Sequence, residues 1–308
     1  MKPNRRFHEI EEDTWRIREF LRDCYIINDR REFCWSLLRW DYWIGHINRN
    51  IFHFPLDETV SMWEKNGRLV AVVNPDASGE AFLQIHPSTY SDGLYKEMLE
   101  TAESTLAVQN ITGKKELVIW VGAQATIRKR VLERYGYQRS GFAAEHIRRR
   151  LLLEPIPENP LTEGYCIRAL GAEDELAARS WLSWKVFHPD EPDDKYRGWE
   201  WYKNVQHTPL YRRDLDLVAV APDGALSAFC TVWFDDCTRT AVFEPVGTHP
   251  AHQKLGLGKA IMTEGLHRAR ALGATLATVS SYSTGAHALY ESMGFTDVHL
   301  NEPWIKVW

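Results

Sequence analysis

The sequence predicts an α/β protein with two tandem domains, each a mixed sheet flanked by helices. Three observations support this fold class. The 308 residues suffice for two ordinary domains. Strand-like and helix-like segments are interspersed along the chain, as expected of sheets covered by helices. A connector with three prolines, residues 154–164, divides the chain almost in half, and such stiff, polar stretches commonly separate domains. We therefore expect domains at 1–155 and 164–308.

The first half opens with two helical patterns and continues with short strands. The pair Asn66-Gly67 marks a hairpin turn between two apolar runs. Gly136 follows a helical pattern and suits a helix C-terminus. The predicted helices are 13–26, 29–50, 94–108 and 126–135, and the predicted strands are 60–64, 69–73, 81–86 and 116–121.

The second half repeats this order of elements. The pair Asp223-Gly224 marks a hairpin turn, and Gly273 and Gly294 follow helical patterns. The predicted helices are 173–184, 198–206, 257–272 and 285–293, and the predicted strands are 165–168, 215–221, 226–234, 241–248, 274–280 and 298–307.

Two landmarks relate the halves to each other. His86-Pro87 aligns with His249-Pro250, and Gly136-Tyr137 aligns with Gly294-Phe295. The two offsets are nearly equal, so the pattern indicates one duplicated unit.

Charge is unevenly distributed. Residues 1–155 carry 23 Lys/Arg and 22 Asp/Glu, a net charge of +1, whereas residues 156–308 carry 14 and 20, a net charge of −6. An acidic second half disfavours nucleic acid as a partner and favours a cationic substrate. The basic runs at 128–130 and 148–150 lie in the first half and are typical of solvated faces.

The setting expected from the sequence is cytoplasmic. The five cysteines are odd in number and lack metal-ligand spacing, which is typical of a reducing compartment. The first residues have no apolar stretch behind them, so we expect no secretory signal. Apolar runs stay well short of 18 residues, so no membrane span is expected.

The sharpest local feature is the stretch GTHPAHQKLGLGKA, residues 247–260. A strand ends there, a polar turn with two glycines follows, and a helix begins. Glycines expose consecutive N–H groups, and a helix start adds unpaired N–H groups and a favourable dipole. Such a turn suits a phosphate or pyrophosphate. The alternative is a plain strand-to-helix turn whose glycines serve packing. The stretch is neither a Walker A loop nor a Rossmann fingerprint.

Two motifs in order resemble the signatures of the GNAT superfamily of N-acetyltransferases. Gln253-x-x-Gly256-x-Gly258 resembles the family's Q/R-x-x-G-x-G/A acetyl-CoA motif, and residues 286–295, AHALYESMGF, resemble A-x-x-L-Y-E-x-x-G-F. The strong match covers about residues 215–308. The resemblance implies two tandem GNAT-like domains, each a mixed, mostly antiparallel sheet flanked by helices.

The resemblance also implies where acetyl-CoA, the family's co-substrate, binds. The pantetheine arm is expected on backbone groups of Val246, Gly247 and Thr248, where the fourth strand of the domain separates from the fifth. Ser283 stands where many members have an asparagine that contacts the cofactor. The pyrophosphate is expected on the backbone of Gln253, Lys254, Leu255, Gly256, Leu257, Gly258 and Lys259.

Two side chains are the candidate catalytic groups. Direct attack of an amine on a thioester needs a proton acceptor at the amine and a donor at the departing thiolate. Tyr290 matches the family's thiolate-protonating tyrosine, and its alternative is a packed core tyrosine. Glu244 is the candidate general base, although many members carry their glutamate where this chain has Val242. Residues two apart share a sheet face. The alternative for Glu244 is a structural or substrate-holding carboxylate.

The segment from Ser183 to Asp194, with Trp199, Trp201 and Tyr202, is expected to frame the acceptor. Carboxylates beside aromatic rings suit a cationic amine, so a small-molecule amine or a peptide amine fits. The alternative is a solvated acidic loop. His249 and His252 are three residues apart, but no further ligands are spaced around them, and no metal is expected.

The first half is expected to be a degenerate, non-catalytic copy. Opposite Gln253, Gly256 and Gly258 it has Tyr90, Gly93 and Tyr95, and opposite Tyr290 it has Leu132, which cannot donate a proton. Two functions remain open at this point. One is an N-acetyltransferase with a single active site in the second half. The other is a non-catalytic CoA-binding regulatory or scaffold protein.

Overall fold

A computed structural model describes residues 3–308, which form two compact units. The first unit comprises residues 3–146 and 299–308, and the second comprises residues 147–298. These bounds differ from the expected division, because the last ten residues of the chain belong to the first unit and residues 147–155 belong to the second. The unit to which β8 and β14 belong depends on pairing between residues distant in sequence, so local patterns do not reveal it.

The first unit contains most strands and helices of the first half. Its strands are β1 (Asn4–Phe7), β2 (Ser61–Lys65), β3 (Arg68–Pro75), β4 (Glu80–Ile85), β5 (Val108–Gln109), β6 (Lys115–Gly122) and β7 (Gln138–Arg139), with most of β14 (Asp297–Val307). Its helices are α1 (Glu11–Ile27), α2 (Leu37–Tyr42), a π-helical stretch (Trp43–Phe52), α3 (Leu56–Thr59), α4 (Asp92–Thr105) and α5 (Thr126–Arg134).

The sheet of the first unit has the order β1-β2-β3-β4-β6-β14. Every neighbouring pair is antiparallel except β4 and β6, which are parallel. Residues 301–307 of β14 pair with residues 116–122 of β6. The chain's final strand therefore completes the first sheet.

The predicted helix at 29–50 is wrong at its start, because α2 begins at Leu37. The hydroxyl of Ser36 accepts a hydrogen bond from the backbone N–H of Arg39 at 3.3 Å and caps the helix. Upstream of the cap, Cys34 and Trp35 bind β4. These tertiary contacts override local helical preference. Strands β1 and β8 (Glu145–Leu151) were not predicted from the sequence.

The second unit is built on β9 to β13 and on residues 147–151 of β8. Its strands are β9 (Cys166–Ala169), β10 (Asp216–Val220), β11 (Leu226–Asp235), β12 (Thr240–Thr248) and β13 (Leu276–Ser281), and its helices are α6 (Leu176–Phe187), α7 (Trp201–Gln206), α8 (Leu257–Ala271) and α9 (Thr284–Ser292). The order is β8-β13-β12-β11-β10-β9. Strands β12 and β13 are parallel, and the pairs from β12 to β9 are antiparallel.

Helix α8 packs tightly on the sheet of the second unit. A Cβ atom at Gly265 of α8 would lie 2.8 Å from Cε1 of Phe243 on β12. Ile261, Met262 and Leu266 on the same helix are fully buried in the core cluster that includes β10 to β13. This packing fixes the N-terminus of α8 beside the end of β12. Within residues 3–308, none of the helices has the length and apolar character that crossing a membrane requires.

Candidate active site

Strands β12 and β13 separate part of the way along their length. Their parallel ladder consists of three pairs and ends at Val242 and Thr278, whereas β12 continues to Thr248 and β13 to Ser281. Residues 244–248 are half-buried. The edge of β12 that faces β13 is therefore open to a ligand over its last five residues.

Along β12, the backbone N–H and carbonyl groups of successive residues point alternately towards β11 and towards the open edge. The N–H of His249 faces β11, because it donates to the carbonyl of Ser227 at 2.9 Å. In an antiparallel pair, alternate residues turn their N–H and carbonyl groups to the other edge. Val246 and Thr248 thus face the opening, as the resemblance implies, whereas the backbone of Gly247 turns to β11.

Gly247 is required by packing. A Cβ atom at this position would lie 2.5 Å from Cζ of Phe229 and 2.6 Å from Cγ1 of Val186 on α6. Both contacts are far below van der Waals distance, so α6 and the aromatic ring close over the glycine. This glycine lets α6 approach the end of β12.

The substitution Gly247→Ala is expected to lower the free energy of unfolding by about 1–3 kcal/mol, because it overpacks this contact. Thermal or denaturant unfolding measures the effect. Gly258→Ala is the matched control, since its Cβ would meet Leu289 at an ordinary 3.5 Å. Equal stability of the two variants would contradict the packing role of Gly247.

The turn after β12 presents its backbone to solvent. Residues 253–256 are exposed, and Lys254 and Gly256 have φ angles of 63° and 76°. Gly256 is the N-cap of α8, and a Cβ atom there would meet no heavy atom of the described chain within 4 Å. Glycine at this position allows the left-handed backbone. It also leaves open space in front of the helix N-terminus, where an anion binds favourably.

Side chains of the turn and of the preceding linker hold this backbone in place. Thr162 donates its hydroxyl to the carbonyl of Leu255 at 2.5 Å. The hydroxyl of Tyr165 lies 2.8 Å from Nδ1 of His252, and Nδ1 of His249 accepts the N–H of Ala251 at 3.1 Å. Both histidines thus contribute to the shape of the turn. The amide of Gln253 donates to the carbonyl of Thr248 at 3.4 Å.

Glu244 lies at an irregularity of β12. Phe243 pairs with Val232 and Val246 pairs with Cys230, so Glu244 and Pro245 together stand opposite one residue of β11. This is a β-bulge, which re-aims side chains and often adjoins active sites. The indole N–H of Trp233 donates to the carbonyl of Glu244 at 2.6 Å.

Tyr290 lies on α9 and is 6% exposed. Burial raises the pKa of its hydroxyl well above the ordinary value, and the charges of Cys230 and Glu244 raise it further. The phenol stays protonated at neutral pH and is available as a proton donor. Ser283 caps α9, because its hydroxyl accepts the N–H of Ala286 at 3.3 Å.

The segment expected to frame the acceptor, residues 183–194 with Trp199, Trp201 and Tyr202, is called here the acceptor segment. Several of its side chains contact one another. Lys185 forms an ion pair with Asp193 at 2.9 Å, and the rings of Trp184 and His188 stack at 4.0 Å. Asp190, Glu191 and Asp194 are exposed. The segment therefore keeps carboxylates at the surface, while its aromatic rings pack largely on one another.

In the first unit the corresponding strand edge is occupied by the chain itself. The ladder of β4 and β6 ends at Phe82 and Trp120. Beyond it, Ile85 donates its N–H to the sulfur of Cys34 at 3.3 Å, and the thiol contacts the Ile85 carbonyl at 3.4 Å. The N–H of Trp35 binds the Gln84 side chain at 2.8 Å. Ile85 aligns with Thr248, so Cys34 takes the backbone groups that correspond to those of Thr248 at the open edge of β12.

Comparison with known proteins agrees with this geometry. Residues 174–295 match the model of the acetyltransferase (GNAT) family. The chain is 26% identical over 239 residues to a mycothiol acetyltransferase of Salinispora arenicola, covering 74% of each chain. The tandem layout expected from the sequence resembles that of mycothiol synthase.

Two solved structures resemble the whole chain in fold. A GCN5-related N-acetyltransferase from Sphaerobacter thermophilus has a TM-score of 0.67 at 17% identity, covering 99% of this chain and 95% of that one. A tandem GNAT protein from the clavulanic acid biosynthesis pathway has a TM-score of 0.69 at 13% identity, covering 99% and 98%. Residues 174–295 are thus a GNAT acetyltransferase domain, and the whole chain has the fold of a tandem GNAT protein.

Proposed function

We propose that the protein transfers an acetyl group from acetyl-CoA to a primary amine by direct attack, at one active site in the second unit. The observation that carries the proposal is the open edge of β12, which leads directly into the exposed turn before α8. Val246 and Thr248 offer backbone groups to the pantetheine arm. The turn from Gln253 to Lys259 offers N–H groups to the pyrophosphate.

The proposed chemistry uses Glu244 and Tyr290. Glu244 accepts a proton from the ammonium form of the amine, directly or through water, and the neutral amine attacks the thioester carbonyl. A tetrahedral intermediate forms and collapses with cleavage of the carbon–sulfur bond, and the nitrogen releases its second proton to water as the amide forms. Tyr290, which is protonated throughout the neutral range because burial raises its pKa, donates its proton to the departing thiolate and regains one from water.

The proposed acceptor is a small-molecule amine. The relative from Salinispora arenicola is a mycothiol acetyltransferase, and the exposed carboxylates of the acceptor segment suit a cation. A panel of glucosamine, spermidine, an amino-acid amide and a short peptide tests this, with free thiol release from acetyl-CoA as the readout. Turnover of the peptide alone would contradict a small acceptor. Binding of acetyl-CoA without turnover of any amine would favour the non-catalytic alternative.

The substitution Tyr290→Phe is expected to lower kcat by roughly 10²-fold, because it removes the proton donor to the thiolate. The affinity for acetyl-CoA should remain close to that of the parent. In the parent protein, kcat should show no decline from Tyr290 ionisation below about pH 10, since the pKa of Tyr290 is raised. A pH–rate profile of both proteins measures this. An unchanged kcat in the variant would rule out the donor role.

A further inference from the structure

The bulge that carries Glu244 is held by a side chain from the neighbouring strand. Pro245 lacks an N–H, and the register shift removes this stretch from regular pairing with β11. The indole N–H of Trp233 instead donates a 2.6 Å hydrogen bond to the carbonyl of Glu244. This bond links the bulge to β11 in place of regular strand pairing. Trp233 is 1% exposed and Glu244 is half-buried, so the donor of this hydrogen bond is buried, where reduced contact with water strengthens it.

A buried charged cluster lies behind Trp233. Asp216 is fully buried and accepts hydrogen bonds from the hydroxyls of Tyr202, Tyr211 and Thr231 at 2.6, 2.8 and 3.0 Å. Arg179 is also fully buried, and its Nε lies 3.7 Å from Asp216. The guanidinium donates to Thr231 at 3.3 Å and to Ser183 at 2.9 Å, and it lies over the ring of Phe229 at 3.8 Å.

The cluster contacts β11 at the residue that faces the bulge. Thr231 is the residue of β11 opposite Glu244 and Pro245. The ring of Tyr211 lies 6.1 Å from that of Trp233 in an edge-to-face arrangement. A buried ion pair contributes little net stability compared with apolar packing. Two members of the cluster lead towards the bulge: Thr231, which accepts from Arg179 and donates to Asp216, and Tyr211, whose ring packs against Trp233.

We propose that Trp233 is a positioning residue for Glu244, and that the Arg179–Asp216 cluster holds Trp233 in place through Tyr211 and Thr231. This inference rests on the proposed role of Glu244 as the general base. Trp233 itself does not contact the reacting atoms. It sets the direction in which the bulge presents the carboxylate.

The test is Trp233→Phe, which keeps a ring but removes the N–H. Trp43→Phe is the matched control, because Trp43 in the first unit is also buried and donates its indole N–H to a backbone carbonyl, that of Asp76, at 2.9 Å. With the fastest amine of the panel, Trp233→Phe should lower kcat by roughly 10- to 100-fold, the scale of a small misplacement. The KM for acetyl-CoA should stay within about twofold of the parent, well under the 1.4 kcal/mol of a tenfold change. Equal kcat values for Trp233→Phe and Trp43→Phe would overturn the proposal.

A double-mutant cycle shows whether Trp233 acts through Glu244. If it does, Glu244→Gln combined with Trp233→Phe should be no slower than Glu244→Gln alone. A further loss in the double variant would overturn the proposal. Should Trp233→Phe fail to fold, Tyr211→Phe serves in its place, because it removes the hydroxyl contact with Asp216 and should show the same non-additive loss.

The two hypotheses fail in different ways. Full activity of Glu244→Gln would remove the proposed base and the positioning role together. A slow Glu244→Gln beside a fully active Trp233→Phe would leave the proposed function standing and remove only the positioning role.

Discussion

The substitution Gly256→Trp is expected to raise the Kd for acetyl-CoA by more than about 100-fold, close to 3 kcal/mol. Gly256 has a φ angle of 76°, and its Cβ position opens onto free space at the N-terminus of α8. A tryptophan side chain would fill the space in which we place the pyrophosphate. It would also disfavour the left-handed backbone that presents the N–H groups.

Gly93→Trp is the matched control for this experiment. Gly93 aligns with Gly256 in the first unit, and a Cβ atom there also meets nothing within 4 Å. Calorimetric titration should therefore give parental affinity for Gly93→Trp. Gly256→Asn is a milder variant, because asparagine tolerates positive φ, and it should bind with intermediate affinity if bulk causes the loss. Parental binding by Gly256→Trp would contradict a pyrophosphate site at this turn.

The substitution Glu244→Gln is expected to lower kcat at neutral pH by about 10²- to 10³-fold, within the range of general-base catalysis. Glutamine is nearly isosteric but accepts no proton, so only the neutral fraction of the amine would react. The rate of the variant should therefore increase with pH up to the pKa of the amine, whereas the affinity for acetyl-CoA should stay unchanged.

Glu264→Gln controls for the loss of a carboxylate in the same unit. Glu264 lies on α8, is partly exposed and forms an i,i+4 ion pair with Arg268 at 2.7 Å. Its kcat should match that of the parent at every pH. A Glu244→Gln enzyme with parental kcat would assign the proton transfer to another group or to water alone.

Much of the second unit could be predicted from the sequence, because its signals are local. The glycines after β12 reflect a turn and a helix start, and the motif from Gln253 to Gly258 together with residues 286–295 resembles the GNAT signatures. The placement of α8, β13 and α9 follows from apolar periodicity and terminal glycines. The helix beginning at Leu37 was misplaced because the preceding residues bind β4, and such contacts override local preference.

The remaining features depend on pairing between distant residues. The assignment of β14 to the first unit has no local signature, since its mixture of polar and apolar residues does not indicate which sheet it joins. Pro245 hints at an irregular strand, but the bulge follows from the register with β11. Likewise, Trp233 is one of 13 tryptophans in the chain, and only its contact with Glu244 distinguishes it. The packing role of Gly247 also emerged only from the approach of α6.

The most direct test of the central claim is the number of acetyl-CoA molecules bound by each chain, measured by calorimetric titration of the unmodified protein. We predict one site per chain, since the second unit has an open β12 edge while Cys34 binds the backbone at the corresponding edge of β4. Two sites of comparable affinity, or one site that persists in Gly256→Trp, would contradict a single acetyl-CoA site in the second unit.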